Sequence, residues 1–345
     1  MKAAVLHDFG KPLAIEEVPR PQAGPGEVLI QVEACGVCHS DVHVADGDWP
    51  QLAGIVKKPL IPGHEIAGQV AEIGSGVRDF RIGDLVGVPW LHWSCGECDF
   101  CREENENLCK RQKITGVMVD GGYAEFAKAP ASHIEKIPAG LRASEAAPLF
   151  CAGVTVYRAL KQARISPGQR LAVFGIGGLG HLAVQMARSL GAEVTAVDIA
   201  EDQLALAKSL GAERILHASN AVPELRKVGG VHVAMVTSAS KRAYEAAFYA
   251  LRPTGTLLVV GLPAEDIGFP AILMSAKEVH IRASAVGTRS DLREVLAIAA
   301  AGKIRCRTAE RPLAQVNDAL EDLRGGRVIG RIVLAPGRSG PGSKR

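Results

Sequence analysis

Between residues 170 and 198 the chain runs from a strand through a glycine turn into a helix and on to a second strand, an order few backbone arrangements accept. Arg170-Leu171-Ala172-Val173-Phe174 reads as the first strand, Leu179 to Leu190 as the helix, and Gly175-Ile176-Gly177-Gly178-Leu179-Gly180 as the turn. The series continues with strand Glu193 to Val197, helix Glu201 to Leu210, strand Val231 to Val236, helix Tyr244 to Leu251 and strand Gly255 to Val260. Strands alternating with helices imply βαβ units and a parallel sheet. Glycines at such a turn let a pyrophosphate rest against the backbone at the helix N-terminus. A GxGxxG match alone is weak, because a tight strand–helix turn can bind nothing. Here a strand precedes it, a helix follows, and Asp198 closes the next strand eighteen residues after Gly180. Together these point to a dinucleotide held by Gly175, Gly177, Gly178, Leu179, Gly180 and Asp198. Asp198 accepts hydrogen bonds from the adenosine ribose and repels a 2′-phosphate, which favours NAD over NADP.

The first 150 residues have a different texture. Short β-branched runs, Glu27 to Val32, Ala67 to Ile73 and Asp84 to Val88, are punctuated by Gly and Pro, as in a compact β-rich domain. A chain of 345 residues exceeds what one core usually covers. The expected division is 1–152, β-rich; 153–286, alternating; and 287–345, a return segment with a helix at Asp291 to Ala301 and a strand at Arg331 to Leu334. From about 336 the composition is Gly, Ser, Pro and basic residues, and a disordered tail is expected. Net charge is +3 with both signs interspersed, so neither nucleic acid nor a membrane surface is implied as a partner. There is no secretory h-region and no apolar run of about eighteen residues. The cytoplasm is the expected address, where eight cysteines read as metal ligands or buried thiols.

Cys95, Cys98, Cys101 and Cys109 lie in the pattern Cys-x2-Cys-x2-Cys-x7-Cys, with polar or small residues between them. Thiolates at this spacing can fill all the positions of a tetrahedral structural zinc and hold together a lobe, about 92–112, that has little core of its own. Disulfides or unrelated thiols are the alternatives. A second ligand-rich set comprises Cys38, His39, Ser40, Asp41 and His43, with His64 and Glu65 in Pro62-Gly63-His64-Glu65 and Cys151 in Phe150-Cys151-Ala152-Gly153. A catalytic zinc keeps three protein ligands and an open position, and Cys38, His64 and Cys151 would supply such a set. Singly, each is as readily a core residue.

The chain resembles the zinc-dependent medium-chain alcohol dehydrogenase family, nearest to microbial ethanol- or propanol-type members. The resemblance spans Met1 to about Leu334. Its specific matches are Gly36-Val37-Cys38-His39-Ser40-Asp41, Pro62-Gly63-His64-Glu65, Gly121-Gly122-Tyr123-Ala124-Glu125 and Ala147 to Thr155, with the glycine turn and the cysteine cluster. A Cys₂His ligand set of this kind is the one that alcohol dehydrogenases carry. The resemblance implies an α/β protein in which a GroES-like β-rich catalytic domain accompanies a doubly wound parallel-sheet Rossmann domain. It further implies two zinc ions per subunit, NAD, and a homo-oligomer, a tetramer in preference to a dimer.

The implied activity is reversible, NAD-dependent oxidation of primary alcohols to aldehydes. Secondary, aromatic or polyol alcohols are the alternatives within the family. By resemblance Ser40 takes the substrate proton, the nicotinamide ribose relays it, and His43 delivers it to water. Asp41 orients His64, Glu65 approaches the metal and assists ligand exchange, and His39 and Arg331 face the cofactor pyrophosphate. One departure stands out: where relatives often carry a lysine near the adenosine ribose, this chain has Gln203. Trp49 and Trp90 are candidates for shaping the substrate pocket, and Cys35 and Cys306 read as ordinary small residues. A zinc-ribbon binding module would present a basic face, but Glu97, Asp99, Glu103, Glu104 and Glu106 make this lobe acidic. Related quinone reductases lack the Cys38, His64 and Cys151 set. Polyol dehydrogenases usually carry an acid at the place of Cys151.

Overall fold

The computed structural model describes residues 1–263 and 265–337, with the backbone alone at 51 and 52. Beyond 337, the expected tail lies outside the described residues. Two compact units are present: Met1–Cys151 with Thr288–Ala300 and Cys306 onward, and Ala152–Gly287 with Ala301–Arg305.

The second unit is built on six parallel strands. Side by side they are Arg214–His217, Glu193–Asp198, Arg170–Phe174, Val231–Val236, Leu251–Val259 and His280–Ala283. Numbered along the chain this order is 3-2-1-4-5-6, which reverses beside Arg170–Phe174. Ligands bind such sheets at the carboxyl ends of the strands around that reversal. Leu171, Ala172, Val173 and Phe174 are all buried, as a central strand covered on both faces requires. The edge strands are weaker in sequence. Arg214–His217 alternates half-buried with exposed, and His280–Ala283 is exposed throughout. Neither carries a continuous apolar run, and neither is among the expected strands. The helix Ala271–Lys277 also lies outside the expected series. The helix expected from Tyr244 to Leu251 is Lys241–Ala250, because the Ser240 hydroxyl caps the Ala243 N–H at 3.4 Å and starts it earlier. Leu251 instead opens the following strand.

In the first unit, a seven-stranded sheet is organised around the strand Glu27–Gly36. Antiparallel to it run Glu65–Ile73 on one side and Phe126–Pro130 and Arg331–Ala335 along the other. Its core includes Leu6, Ile30, Val32, Leu60, Ile66, Tyr123 and Leu334. The cysteine lobe has only short elements: strands Leu91–Trp93 and Lys113–Ile114, the helix Asp99–Arg102 with no buried residue, and a single 3₁₀ turn, Glu106–Leu108. It buries too little apolar surface to hold a shape unaided. No described helix is long and apolar enough to cross a membrane.

Candidate active site and metal centre

Three distant segments of the first unit meet at one point. Cys38 caps the helix His39–Asp46 directly after the central strand, and His64 directly precedes the strand Glu65–Ile73. Because those strands pair with Gly36 opposite Glu65, the end of one lies against the start of the other. Cys151 joins the 3₁₀ helix Ala147–Phe150 to the helix Ala152–Ala163. Ligand atoms of Cys38, His64, Glu65 and Cys151 all lie within 4.8 Å of one another.

The Asp41 carboxylate, 2% exposed, holds this point together with four accepted hydrogen bonds. Oδ1 takes the Gly63 N–H at 3.2 Å and His64 Nδ1 at 3.1 Å. Oδ2 takes the Cys38 N–H at 2.9 Å and the Tyr123 hydroxyl at 2.8 Å. With Nδ1 committed as donor, His64 turns Nε2 inward, where it is buried and has no hydrogen-bond partner. An orphaned buried imidazole nitrogen beside two thiol sulfurs is costly unless a cation fills the gap. Residues present therefore fit a zinc ion, with Cys38 Sγ, His64 Nε2 and Cys151 Sγ as donors.

Zinc binding there would have to displace protons, because the ligand groups shift one another's protonation. The hydrogen bond from Cys151 holds the Cys38 thiol well below its usual range, and the same contact pushes Cys151 up. Burial works against a charge on His64, yet the Asp41 carboxylate outweighs it and raises the imidazole well above its usual value. Burial likewise lifts Glu65 to about 7, against the pull of the Arg331 guanidinium that grips its Oε1. Glu65 Oε2 and Arg331 Nε are left without partners.

Ser40 Oγ lies 3.7 Å from Cys38 Sγ, beside the ligand set. On the same helix His43 is half-buried, with Nδ1 at 2.9 and 3.0 Å from the two Asp48 oxygens. Its ring stacks on Trp49 at 4.5 Å, while Trp90 sets its edge to His64 at 4.7 Å. His39 is exposed at the start of that helix. Sequence reasoning gave no role to Tyr123, to Asp48 or to the Glu65–Arg331 pair. Tyr123 sits inside a matched motif, which was the available signal; Arg331 lies 266 residues from Glu65, and no local pattern links them.

In the cysteine lobe, four of the six Sγ–Sγ separations among Cys95, Cys98, Cys101 and Cys109 are 3.5–3.9 Å, and all are within 4.8 Å. A tetrahedron with Zn–S bonds of about 2.3 Å has edges of about 3.8 Å. That spacing is far too long for disulfides and fits a shared metal. Backbone N–H donors near Glu97 draw Cys95 down to about 6, while burial raises Cys101 to about 12.

The glycine turn of the second unit is shaped for close approach. Gly175 has φ +95°, and a Cβ there would lie 2.7 Å from Ser238 Cβ. A Cβ on Gly180 would run into the Gly175 carbonyl oxygen, whereas Gly177 faces open space. Gly178 and Leu179 are half-buried just before the helix Gly180–Ser189. Asp198 ties the next strand to this turn: its carboxylate accepts the N–H of Ile176 at 2.5 Å, of Ile199 at 2.7 Å and of Ala200 at 3.0 Å.

Comparison with known proteins places the chain. Residues 24–139 match the alcohol dehydrogenase GroES-like domain, and residues 178–301 match the zinc-binding dehydrogenase family. An alcohol dehydrogenase of Geobacillus stearothermophilus is 48% identical, over 97% of this chain and 99% of that protein. The crystal structure of an alcohol dehydrogenase from the archaeon Aeropyrum pernix superposes with a TM-score of 0.91 at 36% identity, covering 97% of this chain and 100% of that one. Acetophenone reductase from Geotrichum candidum, in complex with NAD, superposes with a TM-score of 0.88 at 30% identity, covering 97% and 96%. With its GroES-like and Rossmann-type units, this chain belongs to the zinc-dependent medium-chain alcohol dehydrogenase family.

Proposed function

We propose that this protein is an NAD-dependent alcohol dehydrogenase that oxidises primary alcohols to aldehydes reversibly. The observation that carries this reading is the buried, unpartnered Nε2 of His64 among Cys38 Sγ and Cys151 Sγ, in a chain that also bears a strand–glycine–helix turn. Two zinc ions per subunit are proposed, one on Cys38, His64 and Cys151 and one on Cys95, Cys98, Cys101 and Cys109. When bound, the first zinc supplies a Lewis acid that lowers the pKa of an alcohol hydroxyl and leaves the structural one to hold its lobe.

The chain's own residues do the rest. Asp41 fixes the ring and tautomer of His64, a carboxylate role that also makes the ligand nitrogen more basic. Ser40 Oγ takes the substrate hydroxyl proton, and His43 passes it to water. With Nδ1 engaged by Asp48, the His43 imidazole presents Nε2 for that transfer. The Glu65 carboxylate, buried beside the ligand atoms, serves ligand exchange, and Arg331 and His39 serve the cofactor pyrophosphate. Gly175, Gly177, Gly178, Leu179 and Gly180 seat the dinucleotide. Asp198 keeps lone pairs for the ribose hydroxyls while its three backbone bonds hold it in place. The likeness to acetophenone reductase keeps secondary and aromatic alcohols as the second reading.

The proposal includes a homotetramer in the cytoplasm. Self-association is supported by the exposed edge strand His280–Ala283 with Ile281, and by Ile272, 75% exposed on the helix Ala271–Lys277. None of the eight cysteines is disulfide-bonded, which suits a reducing compartment. The test is NADH formation from ethanol, propanol, benzyl alcohol, isopropanol and sorbitol, before and after a chelator. Fastest turnover with the primary alcohols, lost with the metal and regained with zinc, supports the reading. Turnover that survives complete zinc removal overturns it.

A further inference from the structure

Gly36 sits in the middle of three strands, paired with Glu65 on one side and with Val333 on the other. Side chains alternate across a strand, so Glu65, Val333 and Arg331, two residues before Val333, project from the same face. Glu65 and Arg331 therefore meet by reaching over the strand that carries Gly36, and their ion pair is 0% and 4% exposed. A Cβ on Gly36 would coincide with Glu65 Oε2 and come within 3.0 Å of Glu65 Cβ. Gly36 has no positive φ, so its backbone does not demand glycine. Nor can Glu65 swing aside cheaply, because leaving its place would strand a buried guanidinium.

We infer that Gly36 is a positioning residue. Its missing side chain is the space in which the Glu65 carboxylate lies, with Oε1 on Arg331, the unpartnered Oε2 where a Cβ would stand, and one carboxylate oxygen within 4.8 Å of the ligand atoms of Cys38, His64 and Cys151. The inference rests on the proposed catalytic zinc and assigns a determinant of how firmly that ion is kept. A methyl group at 36 drives the carboxylate toward the ligand atoms or breaks its pair with Arg331.

The experiment follows zinc transfer from the purified holoenzyme to a chromophoric chelator, using the kinetic phase that Cys38→Ser removes. Gly36→Ala should change the rate of that phase about 10- to 100-fold, the usual effect of disturbing a metal ligand's surroundings. Glu65→Asp shortens the carboxylate arm, so adding Gly36→Ala in that background should change the rate less than threefold. Equal changes in both backgrounds would mean that Gly36 acts through general strand packing, and would overturn the inference. Should Gly36→Ala fail to fold, the double variant is expected to fold; failure of both overturns it as well. A wild-type enzyme with no phase sensitive to Cys38→Ser overturns the metal reading along with the inference. A phase that is present, with independent effects of the two substitutions, overturns the inference alone.

Discussion

Replacing Asp41 with Asn tests the wiring of the site most sharply, because nearly the same shape meets opposite hydrogen-bonding demands. The carboxylate accepts four hydrogen bonds, two on each oxygen. An amide accepts only on its oxygen and points two N–H donors the other way. If the amide oxygen faces Gly63 and His64, its nitrogen confronts the Cys38 N–H, and only the Tyr123 hydroxyl can turn to accept. If it faces Cys38 and Tyr123, the amide nitrogen confronts the Gly63 N–H, and His64 Nδ1 must become an acceptor. That choice places the ring proton on Nε2, the atom that faces the thiols. Either way one buried backbone donor is left unmade, at about 1–3 kcal/mol. For a unit of this size about 2 kcal/mol lowers the melting temperature by about 4–8 °C. Loss of the orienting carboxylate should also weaken zinc binding about 10- to 100-fold. Calorimetry on the zinc-free protein and competition with a chromophoric chelator measure the two effects separately. A variant that melts within 1 °C of wild type, a difference of roughly 0.3 kcal/mol, and binds zinc equally well refutes the reasoning.

Other expectations follow from the same geometry. Cys38→Ser should abolish turnover and leave the fold intact, whereas Cys98→Ser should chiefly lower stability and solubility; equal folding defects in circular dichroism melts would contradict separate metal roles. Asp198→Gly should improve NADP relative to NAD about tenfold or more by removing a like charge, and should weaken NAD as well because three backbone bonds are lost. An unchanged cofactor ratio in steady-state kinetics would show that the acid does not select. Burial depresses His92 and His133 to about 4, so both are neutral in the fold while the unfolded chain protonates near 6.5. The stability they secure is complete above about 6.5 and is lost as pH falls toward 4, up to about 3 kcal/mol for each. His92→Phe should flatten part of that acid limb in urea titrations; an unchanged slope between these pH values would count against it.

The fold was legible where apolar residues run continuously. Leu171 to Phe174 and Val231 to Val236 have to be covered on both faces, and only a sheet between helices does that. The edge strands Arg214–His217 and His280–Ala283 were not legible, since a half-wet strand mixes polar and apolar residues as a loop does. At the site, residue types in short motifs directed attention to Cys38, His64 and the four clustered cysteines. Cys151 was different: it lies in an apolar stretch that says nothing of metal, and only its company with Cys38, His64 and a nucleotide-binding pattern raised it. Partners that act across the sheet were invisible for a physical reason. Tyr123 reaches Asp41 over 82 residues and Arg331 reaches Glu65 over 266, and the register that joins them exists only once the strands pair.

X-ray anomalous scattering at the zinc edge, from crystals of the protein as purified, addresses the central claim most directly. The account predicts one peak bonded to Cys38 Sγ, His64 Nε2 and Cys151 Sγ with a coordination position left to an oxygen ligand, and another enclosed by the four lobe cysteines. A fully zinc-loaded protein with no peak at Cys38, or with every position there permanently filled by side chains, would contradict it.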